Sequence, residues 1–280
     1  MIKNRLVISA LGCALLAPAA AQPPAPGLGI NSIAMVALRV SDIDREIAFL
    51  GKLGYEESFA ITSGSQTMAV VVKIDDRQFI ELYPKTDASQ PLGWIHVSYE
   101  AGDLKAFVKY LAATGLTPSR VSTTGSGNLV SSLRDPDGRI VEFTQYMPGS
   151  RHVLDRGQHL GADRIATELM GVDLPVNNLA AEKQFYVELG FEAEDSGSGV
   201  HLTDPGAPDL RVELRPAHPG ALPQLLFPVD DARRAADRLK EFRPAHDKGI
   251  ALVHDPDGNS FVFLETGGGG HKDRFMPWKR

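Results

Sequence analysis

Two glutamates and a histidine, Glu81, His96 and Glu142, stand inside short apolar runs where such side chains need a reason to be. The runs read "RQFIELYP", "GWIHVSYEA" and "RIVEFTQY". Each alternates as a strand does, with successive side chains on opposite faces. Glu81 then shares a face with Phe79 and Tyr83, His96 with Trp94 and Ser98, and Glu142 with Ile140, Thr144 and Tyr146. In the expected strand Ile33–Val40, Met35, Ala37 and Arg39 oppose Ala34, Val36, Leu38 and Val40. One face is aliphatic and belongs under helices. The other mixes aromatic rings with carboxylates and an imidazole, the groups that move protons and hold cations. A face of that kind lines a cup rather than a core. A carboxylate among apolar neighbours, as Glu142 is, is costly to bury without a partner. Each residue also has a plainer role. A strand-end glutamate such as Glu81 often faces solvent, and a lone strand histidine is more often hydrogen-bonded than metal-bound. Met35 suits packing at the cup floor. Arg39, Tyr83, Trp94 and Tyr146 either touch a ligand or form the wall.

The elements that carry these strands recur along the chain. "MVALRVSDIDREIAFLGKLGYEE" from Met35 aligns without gaps with "GVDLPVNNLAAEKQFYVELGFEAE" from Gly171. Leu38, Val40, Phe49, Leu53 and Gly54 meet Leu174, Val176, Phe185, Leu189 and Gly190. "RQFIELYP" is similar to "LRVELRP", and "RDPDGRIVEF" to "HDPDGNSFVF". A whole domain is used twice. Within each half, strand-helix-strand-strand-strand occurs twice. The first helix opens at a cap, Ser41 or Asp42, and closes at Gly54. The second puts Leu104, Phe107, Val108 and Leu111 on one face. Asp-Pro-Asp-Gly has the residue types of a tight turn and joins the last two strands of a unit. The fold class is α+β, with four βαβββ modules.

Bulk properties narrow the function. Hydrophobic residues make up 43% and charged residues 23%, which is globular composition. The net charge of −6 offers no basic face for nucleic acid. Residues 1–21 read as a cleavable secretory signal: a basic head with Lys3 and Arg5, the apolar run "LVISALGCALLA", and small residues for cleavage after Ala21. The run is too short for a stable membrane span. A periplasmic or secreted protein is expected, with no membrane span after cleavage. Cys13, the single cysteine, lies in that signal, with Ala10 rather than Leu three places before it, which argues against lipidation. The mature chain then has no thiol and no disulfide. Residues 22–30 read as a flexible start, 148–164 as a surface linker carrying His152 and His159, and 267–280 as a glycine-rich mobile tail. His201, His218, His246 and His254 fall in expected loops or beside turns.

The motifs "VALRVSDIDREIAFLGKLGYEE", "DRQFIELYP", "WIHVSYEAGDLKAF" and "DPDGRIVEF" resemble the vicinal oxygen chelate superfamily. That superfamily holds glyoxalase I, extradiol ring-cleaving dioxygenases and bleomycin-resistance proteins. The resemblance runs from about Asn31 to Thr266. It implies two half-open β-barrel domains, 31–147 and 165–266, in the layout of the two-domain dioxygenases. It also implies a metal in the cup, held from the first and last strands of a domain's two modules. In the first domain those positions are Met35, Glu81, His96 and Glu142; in the second they are Gly171, Glu213, Gln224 and Val262. The first domain keeps three donors, so a divalent ion (iron, manganese, nickel or zinc) is expected there. The second is degraded, with Asp173 and Glu213 as a residual polar site. Family dioxygenases hold their metal in the second domain, so the arrangement is reversed.

Met35 departs from the pattern. An extradiol site takes two histidines and a carboxylate, and a thioether is a soft donor that suits iron(II) or zinc poorly. Glu81, His96 and Glu142 instead resemble three of the four ligands of glyoxalase I. There the metal acts as a Lewis acid and one ligand glutamate can act as base, a role for Glu142 or Glu81. The resemblance therefore implies a metal-dependent enzyme acting on a small oxygenated molecule. Proton transfer of the isomerase or lyase kind ranks ahead of ring-cleaving dioxygenation. A glutathione adduct, being cytosolic, does not suit an exported protein. The bleomycin-resistance branch implies another function, a metal-free protein that sequesters a small ligand. The second domain serves either as a buttress or as the face of a homodimer.

Overall fold

The computed structural model describes residues 29–266. The expected signal with Cys13, most of the expected flexible start and the C-terminal tail lie outside the described residues. Ile30 does not belong to a flexible start. It opens the first strand and is fully buried.

The first sheet is built from β1 (Ile30–Val40), β2 (Glu56–Ser63), β3 (Gln66–Lys73), β4 (Phe79–Pro84), β5 (Gly93–Ala101), β6 (Ser122–Thr123), β7 (Leu129–Arg134) and β8 (Ile140–Gln145). Helices α1 (Ile43–Lys52) and α2 (Leu104–Ala113) follow β1 and β5, and α3 (Arg151–Leu154) follows the sheet. The second sheet contains β9 (Gly171–Val176), β10 (Glu192–Ser196), β11 (Gly199–Asp204), β12 (Ala207–Pro216), β13 (Gln224–Val229), β14 (Ala245–Asp247), β15 (Ile250–His254) and β16 (Ser260–Glu265). Helices α4 (Leu179–Leu189) and α5 (Ala232–Arg238) follow β9 and β13. The strand orders are β2-β3-β4-β1-β5-β8-β7-β6 and β10-β11-β12-β9-β13-β16-β15-β14. In each sheet the first strand of a module lies parallel to its last, and the two first strands meet antiparallel at the centre. The result is α+β, with two curled eight-stranded sheets. Among the described residues no helix is long and apolar enough to cross a membrane.

Local chemistry sets the element ends. Asp42, not Ser41, caps α1 by accepting from the Arg45 N–H at 3.1 Å. Ser41 instead bonds Asp257 of the second domain. Gly54 takes φ +85° after α1, and a Cβ there would collide with the Asp163 carbonyl. Phe49 and Leu50 of α1 and Leu104, Phe107 and Leu111 of α2 enter one core that continues through both domains. Edge-to-face rings tie the halves together: Phe49 against Phe261 at 5.2 Å and Tyr99 against Phe191 at 5.8 Å.

Strict alternation fails at several points, two of them beside the cup. Ala34 is an extra residue in β1 between the pairs Ile33–Tyr99 and Met35–Ser98. It packs with Met35, Phe59, Val71 and Phe79 rather than under the helices. Ile95 is extra in β5 between the pairs Ala37–His96 and Leu38–Trp94. Trp94 therefore turns to the side of Leu38 and packs on the main core, away from His96. Bulges of this kind re-aim side chains beside a cup.

The segment 148–164 is not a loose surface linker. Lys73, fully buried, donates to the carbonyls of Asp155 at 2.6 Å and Gln158 at 2.8 Å and pairs with the carboxylates of Asp155 and Asp76. This clamps the segment to β3. Arg151 lies over the Phe59 ring and donates to the Ala60 carbonyl at 2.6 Å. His152 is consequently buried, 1% exposed, with its ring edge-on to Phe79 and Phe59.

Candidate functional site

The inner face of the first sheet encloses a cavity of about 190 Å³. Met35 from β1, Glu81 and Tyr83 from β4, His96 from β5 and Glu142 from β8 all line it. Four adjacent strands thus bring the expected donors to one place. Arg39 stays outside, donating to the Pro91 carbonyl at 3.3 Å. Tyr146 backs the cup without lining it, its hydroxyl donating to the Arg77 carbonyl at 2.6 Å. Trp94 is on the other face for the reason given above.

His96 Nε2 lies 3.7 Å from Glu142 Oε1. That nitrogen is buried and has no hydrogen-bond partner. Burial pushes the imidazole down to about 4, so the ring is neutral at ordinary pH. Glu142 is pushed up to about 7, chiefly by burial and then by the charge of Glu81. The hydroxyls of Ser98 and Thr144 oppose the shift; Thr144 Oγ1 is 3.4 Å from Glu142 Oε1 and 2.8 Å from Ser98 Oγ. Glu81 is also raised by burial, against a hydrogen bond that its Oε2 accepts from the Tyr83 hydroxyl at 2.9 Å.

The donor set suits a borderline divalent cation: a neutral imidazole nitrogen without a partner and two carboxylates whose mutual repulsion a cation would relieve. The Met35 thioether adds a soft, weak donor. Among the described residues no group of three or more histidine, cysteine, aspartate or glutamate side chains is positioned as it stands to hold a metal ion. Glu81 instead leans on Tyr83.

Sequence reasoning passes over Asn128 and places His152 in a surface linker, whereas it is buried. Asn128 lines the cavity, and its Nδ2 lies 2.9 Å from His152 Nδ1. His152 forms part of the backing of the cup with Phe79 and Tyr146, and burial pushes it down to about 4. Alternation places Asn128 just before β7, but no local signal marks His152. Its burial follows from the distant clamp at Lys73.

Three of the four equivalent positions in the second domain, Glu213, Gln224 and Val262, line a larger hollow of about 640 Å³. Glu213 Oε1 is 2.6 Å from His201 Nδ1, and Asp173 accepts from Arg215 Nε at 2.5 Å. Gly171 has no room for any side chain, because a Cβ would collide with the Arg211 carbonyl. Val262 offers no donor. These residues do not fit a metal.

Comparison with known proteins agrees with this architecture. Residues 32–143 match the family described as Glyoxalase/Bleomycin resistance protein/Dioxygenase superfamily. No curated protein sequence matches the chain. Among solved structures, a catechol 2,3-dioxygenase is similar at TM-score 0.65 and 14% identity, over 85% of this chain and 88% of that one. The 2,3-dioxygenase LapB from Pseudomonas sp. KL28 gives 0.65 and 16%, over 88% and 96%. The Mn(II)-bound glyoxalase from Novosphingobium aromaticivorans gives 0.61 and 18%, over 84% and 82%. At such identities the likeness concerns the fold. Family match, strand order and cup position converge on the first half: residues 32–143 form a domain of that superfamily, and the second half repeats its strand order.

Proposed function

We propose that this is an exported, metal-dependent enzyme acting on a small oxygenated molecule, with its site in the first domain. The observation that carries the reading is His96 Nε2, buried without a partner and 3.7 Å from Glu142 in a cavity that Glu81 also lines. Glu81, His96 and Glu142 would hold the ion. A divalent metal there would supply Lewis-acid polarisation of a substrate oxygen.

The chain's own residues do the rest. His96 stays neutral and offers a lone pair. Tyr83 fixes the orientation of Glu81. Glu142, holding its proton up to about 7, is matched to proton transfer near neutral pH. The volume of about 190 Å³ limits the reactant to a small molecule, and Met35 and Ile61 help keep water out. Proton transfer fits this set better than oxygen-dependent ring cleavage, which takes a second histidine where Met35 stands. Export rests on the apolar run after Lys3 and Arg5, and cell fractionation checks it.

Metal content of the full chain purified without chelator tests the assignment. About one equivalent of iron, manganese, nickel or zinc is the expected result; none, even after reconstitution, would reject it. Affinity should also depend on pH. Glu142 binds metal only as the carboxylate, and its raised value keeps it protonated below about 7. Affinity should therefore fall as pH drops from 8 to 6, by up to about tenfold per unit below the midpoint for one competing proton. Mn(II) titration at the two pH values, with proton release followed in weak buffer, measures this. Tyr83→Phe should weaken metal binding by about tenfold, as loss of a ligand-orienting partner does. A second reading, a metal-free sequestering protein, is favoured by Met35 at a ligand position. Under it, His96→Ala and Glu142→Ala would bind the same ligand nearly as well as the parent.

A further inference from the structure

The larger of the two cups is the one that does not fit a metal, about 640 Å³ against about 190 Å³. Its ligand positions have been rebuilt as well as lost. Asp173 occupies the place that Ala37 holds in the first cup, between Glu213 and Gln224 in the strand register. It is buried, and its counter-charge is Arg215, from the position of Tyr83. The same guanidinium donates through Nη2 to the Leu222 carbonyl at 2.9 Å, fastening the β12–β13 connection to the rim. His201 holds Glu213. A fixed side-chain cation thus stands beside the carboxylate, with no ion needed.

We propose that the second cup is a metal-independent binding site for a small uncharged organic molecule with an apolar body and an oxygen-bearing edge. Leu222, Ile250, Leu252, Val262 and Leu264 supply an apolar wall. Gln224 has no side-chain partner among the described residues and faces the same hollow, free to bond a carbonyl or hydroxyl. Among the described residues lining the hollow an anionic ligand finds no unpaired cation, and to gain one it must break the buried Asp173–Arg215 pair, while a cation must displace His201 from Glu213. The volume lies in the range of ordinary ligand sites, which are mostly apolar with a few placed polar groups. The site does not depend on whether the first cup holds a metal.

Fluorescence titration of the full chain tests this with two probes of like shape: neutral N-phenyl-1-naphthylamine and anionic 8-anilinonaphthalene-1-sulfonate. The neutral probe should bind saturably at one equivalent and at least tenfold more tightly than the anion. EDTA and Glu142→Ala should leave its binding unchanged. Leu252→Trp, on a half-buried wall position, and Ala221→Trp, on the rim connection, should each weaken it at least tenfold. Circular dichroism melts identify a variant that fails to fold, and the other then decides. Three results would overturn the proposal: no saturable neutral binding, equal or tighter binding of the anion, or binding lost with Glu142 but kept in a folded cup-two variant.

Discussion

On the metal-dependent reading proposed above, Glu142→Ala will abolish divalent-metal binding by the first cup while keeping the fold. Among the described residues lining this cavity the strong donors are two carboxylates and one imidazole, so removing one leaves two. Loss of an outer partner of a metal ligand costs about 10–100-fold in affinity, and loss of a ligand itself should exceed that. The fold should not suffer. Burial and Glu81 both oppose the charge on Glu142, and its hydrogen bond to Thr144 is long at 3.4 Å. The metal-free variant should therefore melt at or slightly above the metal-free parent near pH 8, where the parent carries that charge. Elemental analysis beside thermal melts of both metal-free proteins separates the two effects. Unchanged metal stoichiometry would remove Glu142 from the ligand set. A loss of metal accompanied by a collapse in melting temperature would mean that Glu142 holds the sheet together instead.

The strands that carry Glu81, His96 and Glu142 were legible because alternation is local and the three residues interrupt apolar runs. Helix caps and the Asp-Pro-Asp-Gly turns were legible for the same reason: each depends on a few adjacent residue types. Where the reading failed, the cause lay elsewhere in the fold. A bulge adds one residue and reverses every face beyond it, as at Ile95, and no residue type announces it. That is why Trp94 was assigned to the cup and packs on the core instead. His152 looked like a linker residue because its burial is set by Lys73, far away in sequence. The second cup looked merely degraded at Gly171 and Val262. The pairing of Asp173 with Arg215 needs the strand register to be seen, and with it the second cup is a differently built pocket rather than a degraded copy of the first.

Glu46→Gln will stabilise the protein at pH 8, whereas Glu182→Gln will destabilise it. The two glutamates hold matching places on α1 and α4, and each is buried against the Asp-Pro-Asp-Gly turn of the other domain. Glu182 accepts from the Asp137 N–H at 3.0 Å and from Arg139 Nη2 at 3.2 Å. At the other contact the residue corresponding to Arg139 is Asn259, which bonds Asp255 through Nδ2 at 2.6 Å and supplies no charge. Glu46 is left beside Asp255 and Asp257, with Oε1 buried and unpartnered. Burial, and then those two carboxylates, push it up to about 8, while Glu182, with Arg139 beside it, reaches about 7. The sign follows from linkage. The folded state holds the Glu46 proton more tightly than the unfolded chain, so its contribution is fully present below the ordinary value near 4.5 and is lost as pH rises through about 8. Glutamine carries no charge to bury, and its amide can donate to Asp255. The variant should gain roughly 1–3 kcal/mol at pH 8, the usual cost of an unsatisfied buried group, and its stability should change less between pH 5 and 8.5. Glu182 is raised too, so linkage alone would give its substitution the same sign, but Glu182→Gln also removes one of the carboxylates around Arg139, and that loss, expensive for a largely buried cation, outweighs it. Urea unfolding of the parent and both variants at several pH values measures the difference. Equal signs at pH 8 would mean that the missing arginine at position 259 does not matter and that both interdomain contacts are held by packing alone.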